Sequence, residues 1–80
     1  MDKQLAINIR QAVRAATMKA GGRYVTLKEI NEKREFLRAH GFRLPSCNIS
    51  HKEISNAAYI VGGLRLKRER GQKVWYSKKK

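Results

Sequence analysis

The chain is poor in several residue types that carry recognisable chemistry. Its eighty residues include one cysteine (Cys47), one proline (Pro45), one tryptophan and two histidines. A lone cysteine excludes an intramolecular disulfide and fits a reducing compartment. Structural zinc takes four ligands at regular spacing, and Cys47, His40 and His51 form no such pattern, so neither a metal nor another cofactor is expected. Acids are scarce: Asp2 is the single Asp, and the Glu residues fall in helix caps or ion-pair positions, such as Glu29 four residues before Lys33. Cys47 lies in a loop without a Gly-rich oxyanion element, and Gly21-Gly22-Arg23 lacks the Gly-Lys-Ser/Thr ending of a phosphate loop. No enzyme is therefore expected. No apolar run approaches the roughly 20 residues of a membrane span, and MDKQLAINIR lacks a signal-peptide core, so a soluble cytoplasmic protein is expected.

Positive charge is abundant. Nineteen Lys and Arg against six acids give +13 at neutral pH. Residues 1–20 and 21–60 each contribute +3, while residues 61–80, with eight bases and one acid, contribute +7. Such a charge repels itself unless a polyanion is near; nucleic acid is the first candidate partner and an anionic membrane surface the second.

Apolar periodicity and capping signals divide the chain into elements. Leu5, Ile9, Ala12, Val13 and Ala16 make one stripe of a helix over residues 3–19, ended by Ala20-Gly21-Gly22. Arg10 and Arg14 lie off that stripe, and Ile7 points elsewhere. Thr26 and Glu29 form a capping box, with Val25 and Ile30 as its hydrophobic staple, which predicts a second helix from Leu27 to about Ala39. Tyr24-Val25 suits a very short strand. Residues 42–49 are a loop around Pro45, with Phe42 and Leu44 expected to plug the core. The same signature recurs as Ser50 with Glu53 and Ile49 with Ile54, predicting a third helix from His51 to about Val61. Its buried face is Ile54, Ala57, Ala58 and Val61, and Gly62-Gly63 ends it.

The closing stretch alternates. Leu64 and Leu66 alternate with Arg65 and Lys67, and Val74 and Tyr76 with Lys73 and Trp75, which is a strand period. A three-residue loop Glu69-Arg70-Gly71, with Gly at its third position, pairs Leu66 with Val74 and Leu64 with Tyr76. A two-residue loop pairs Leu66 with Trp75. The first register is preferred because four apolar side chains then share a face; it puts Tyr76 in the core and Trp75 against the outer face or the first helix. Lys78-Lys79-Lys80 is expected to be a loose basic tail, leaving residues 1–77 as one α+β domain of three helices and a C-terminal hairpin.

Helix, short strand, two helices and the basic hairpin in SHKEISNAAYIVGGLRLKRERGQKVWY together resemble a winged helix-turn-helix DNA-binding domain, over nearly the whole chain. The resemblance implies that the third helix enters the major groove and that the hairpin, or wing, contacts the backbone or minor groove. The connection from Gly41 to Ile49 is longer than that family's usual tight turn. A single module of this size also resembles the compact regulators of bacteriophages and plasmids. The resemblance implies sequence-preferring binding to double-stranded DNA, in transcription regulation or as an accessory factor, and location at the nucleoid.

Side-chain chemistry agrees with that expectation. The solvent face of the third helix carries Lys52, Ser55, Asn56 and Tyr59; Asn pairs with adenine, Ser with bases or phosphate, and Lys with guanine or phosphate. The plain alternative is a solvated face. Arg65, Lys67, Arg68, Arg70 and Lys73 surround the hairpin tip, and an Arg there, Arg70, fits a narrow minor groove. Protection of edge strands explains one or two such bases, not five. Trp75 suits packing better than stacking on a base. A module that docks on an acidic protein surface is the alternative function, and RNA the third. Mutual repulsion predicts a monomer or weak homodimer that pairs on DNA, with the first helix as the candidate contact through Ile7.

Overall fold

Each helix starts on a side chain that satisfies its free amides. In the computed structural model, which describes residues 1–77, α1 (Lys3–Lys19) is capped by Asp2, whose carboxylate accepts from the Leu5 amide. α2 (Leu27–Ala39) and α3 (His51–Val61) both begin with complete capping boxes. The Thr26 amide donates to Glu29 at 2.8 Å and the Ser50 amide to Glu53 at 2.9 Å. All four staple residues, Val25, Ile30, Ile49 and Ile54, are fully buried. Removing such a cap typically costs about 0.5–2 kcal/mol. α2 ends in a Schellman motif: Gly41, at φ 95°, donates to the Arg38 carbonyl, and Phe42 donates to Leu37. Only a residue that accepts positive φ closes a helix this way without strain.

The expected helix boundaries agree with these three elements. α1 is the central helix and packs against α2, α3 and the second strand. Its small residues Ala6, Ala12 and Ala16, with Ile9 and Val13, allow close approach and meet Ile30, Ile54 and Ala57 in one core. Leu44 plugs that core as expected. Phe42 does not; it is 39 % exposed, because the Schellman turn carries it past the end of α2. Ala58 and Val61 are half-buried at the edge of the core, and Ile7 is half-buried rather than exposed. Glu29 pairs with Arg23 and not with Lys33, whose ammonium lies over the Phe36 ring.

A hairpin follows α3. β1 (Leu64–Glu69) and β2 (Gln72–Ser77) form an antiparallel pair. Its register corrects the expected one: Leu66 faces Trp75, Leu64 faces Ser77, and Arg70-Gly71 is a two-residue turn. Both turn residues have positive φ, 52° and 78°, the pattern of a type I′ turn whose twist matches the strands. The shift by one residue exchanges the faces of β2. Trp75 is therefore the buried aromatic, 2 % exposed, while Tyr76 is half-buried outside against Tyr24, with ring centroids 5.3 Å apart. Val25 anchors this arrangement. Its amide and carbonyl exchange hydrogen bonds of 2.7 and 2.8 Å with Trp75, which is the short strand expected at Tyr24-Val25. The expected tail, Lys78–Lys80, lies outside the described residues.

Candidate nucleic-acid interface

The segment before α3 has no regular structure, so side chains satisfy its backbone. Asn8 donates to the Arg43 carbonyl at 2.9 Å, Arg38 to Leu44 at 3.3 Å, and Arg34 to Pro45 at 2.8 Å. Asn31 does more: its carboxamide accepts from the Ile49 amide at 2.7 Å and donates to the Ile49 carbonyl at 3.1 Å. Arg34, only 3 % exposed, reaches Asn31, Asn48 and Glu35 as well. Ile49 immediately precedes the cap Ser50. This buried clasp sets where α3 begins, and it replaces the tight turn that a shorter connection would use. Neither Asn31 nor Arg34 was singled out from the sequence.

α3 turns Ile54 and Ala57 into the core and leaves Lys52, Ser55, Asn56 and Tyr59 exposed in one continuous stripe. The predicted face is thus assembled as predicted. None of these four side chains makes a hydrogen bond or ion pair within the described residues.

The five hairpin bases do not form one set. Register places Arg68 directly opposite Lys73, on the sheet face of Leu66 and Trp75. Arg65 and Lys67 lie on the other face, with Val74 and Tyr76. Lys67 is already engaged, 3.3 Å from the Glu69 carboxylate and 5.0 Å above the Tyr24 ring. Arg70 occupies the exposed tip.

The Arg68–Lys73 face adjoins the start of α3 through Trp75. The indole Nε1 donates to His51 Nδ1 at 3.1 Å, and the two rings stack with centroids 6.3 Å apart. That bond requires His51 Nδ1 to be unprotonated, which puts the proton of the neutral ring on Nε2. Burial, and then the nearby Lys73 ammonium, push the His51 pKa below its ordinary value. His51, which in the sequence suggested at most a metal ligand, is a component of this region.

Other surface features offer less. Cys47 is exposed in the loop. No group of three His, Cys, Asp or Glu gathers among the described residues. An open cleft of about 570 Å³ runs along Leu27, Asn31, Glu32 and Asn48 beside the clasp. No helix among the described residues is long and apolar enough to cross a membrane. No family model matches the chain, and neither does any curated protein or solved structure.

Proposed function

We propose that this chain is a winged-helix protein that binds double-stranded DNA, with α3 in the major groove and the hairpin as the wing, acting as a regulator or an accessory factor in DNA transactions. The observation that carries this reading is the facing pair Arg68 and Lys73. Like charges directly opposite on a hairpin destabilise it, and among the described residues neither has an acidic partner. The pair lies on the sheet face that meets α3 at His51, the residue before Lys52 at the start of the exposed stripe. A polyanion across both elements relieves the repulsion. Tip strain supports the same reading. Arg70 holds a left-handed φ that suits Asn or Gly better, so an Arg there costs stability without a folding benefit.

A duplex titration across salt concentrations tests the proposal. Each neutralised phosphate contributes about −0.9 to the slope of log K against log salt, and roughly four contacts from the wing and the α3 terminus predict a slope near −3.6 or steeper. A slope near zero removes duplex DNA as the ligand. Tight capture by an acidic protein surface, with no duplex binding, favours the protein-interaction alternative.

A further inference from the structure

The exposed stripe of α3 ends on apolar side chains. Tyr59 is 93 % exposed and Ile60 is 38 % exposed. Tyr59 follows Asn56 by three residues and Ile60 follows it by four, so on a helix both are immediate neighbours of Asn56. Nothing in the fold uses the Tyr59 ring. It makes no aromatic contact and its hydroxyl makes no hydrogen bond among the described residues. Leu66, also exposed, adds an apolar side chain on the hairpin face shared with Trp75 and Arg68. A stripe that starts beside cations and ends on apolar side chains needs a partner that is anionic outside and locally apolar inside.

We propose that Tyr59 and Ile60 read thymine through its C5-methyl group. The inference rests on the reading of α3 as the groove-entering helix. In the major groove, thymine alone among the four bases presents an apolar group at its edge. The phosphates supply the anionic exterior that Arg68, Lys73 and Lys52 match, and the methyl supplies the apolar contact within. Asn56, one turn earlier, offers the two-bond geometry suited to adenine. The C-terminal half of α3 thus favours A·T pairs by two independent means, one polar and one apolar. A preferred site is therefore rich in thymine at the positions facing residues 56–60.

The test replaces thymine by deoxyuridine, which keeps every hydrogen-bonding group and charge and removes only the methyl. A preferred duplex is first selected from a randomised pool with the whole chain. Each thymine is then replaced in turn and the Kd measured. One or two positions should each lose about fourfold in affinity, the worth of one buried methyl-sized group. Tyr59→Ser and Ile60→Ser should bind the thymine and deoxyuridine duplexes alike at one of those positions, with the salt slope unchanged. Tyr59 is almost fully exposed and Ile60 lies outside the core, and circular dichroism verifies that both variants fold. Unchanged affinity at every substituted position overturns the inference while leaving duplex binding intact. So does continued discrimination by both variants, or a loss that is the same on every sequence. Absence of salt-dependent duplex binding fails the parent reading instead.

Discussion

Replacing Asn31 with Ala should cost about 3 kcal/mol, because one side chain serves both backbone groups of Ile49. Its oxygen accepts from the Ile49 amide at 2.7 Å and its nitrogen donates to the Ile49 carbonyl at 3.1 Å. Ile49 is fully buried, so only water that enters the space left by the side chain can replace these bonds. An orphaned buried polar group costs about 1–3 kcal/mol, which gives roughly 2–6 kcal/mol for the pair. Water entering the space left by the side chain places the expected loss in the lower half of that range. The Leu27 contact adds little, since that carbonyl also accepts within α2, and Arg34, which also donates to Asn31, keeps its bonds to Pro45 and Asn48. Eighty residues at about 0.05–0.15 kcal/mol each give a total stability near 4–12 kcal/mol, so the variant loses a large share of it. Asn48→Ala is the control. Asn48 is exposed and its side chain accepts one bond from Arg34 at 3.3 Å, so its loss should stay below about 1 kcal/mol. Urea unfolding followed by far-ultraviolet circular dichroism compares the two. If Asn31→Ala costs no more than Asn48→Ala, the clasp does not hold the start of α3.

Three further outcomes are expected. Arg70→Asn should raise the urea midpoint, by about 0.5–1 kcal/mol in stability, since Asn-Gly suits the type I′ turn, while weakening duplex binding; a variant that loses stability refutes the strain argument. The His51 pKa is lowered on folding, so the unfolded chain takes up the proton first; stability should fall as pH drops from about 6.5 toward the lowered folded value, then level off. His51→Gln should flatten that part of the profile, with Trp75 fluorescence as the readout, and an unchanged profile excludes His51 as the source. Ser77→Ala should be neutral or mildly stabilising in thermal melts, because the Ser77 hydroxyl is buried without a partner among the described residues while its amide still donates to Thr17; a loss above about 1 kcal/mol means that the hydroxyl is satisfied in solution.

Local rules made the helices legible. Thr26-Glu29 and Ser50-Glu53 are self-contained signals, and both boxes form with their staples buried. The α3 surface was legible as the complement of its buried face. The hairpin register was not, because Gly71 satisfies either loop length. What decides it is remote: Val25 bonds the Trp75 backbone, and burying an indole gains more than burying a phenol whose hydroxyl needs a partner. Asn31 and Arg34 left a trace, since both fall on the inward stripe of α2 near Leu27, Ile30 and Leu37. Their partners in residues 45–49 are irregular backbone, which no period announces. The division of the hairpin bases into two faces depends on the register and was lost with it.

The bond between Val25 and Trp75 also governs how the hairpin moves. Among the described residues, backbone-to-backbone hydrogen bonds join the hairpin to the rest only there, and the Ser77 amide and Trp75 indole add bonds to the Thr17 and His51 side chains at the same end. The tip lies about four residues beyond it, which at about 3.3 Å per residue makes an arm of roughly 13 Å. Lys67 to Glu69 are exposed along that arm. Such an arm is a cantilever: a rotation of roughly 10° at the clamp carries the tip about 2 Å, by the same arm length. α3, fixed by its clasp and the core, has no comparable freedom. In the proposed DNA-bound state the helix therefore sets the alignment on a groove, and Arg70 follows the local groove width without disturbing it.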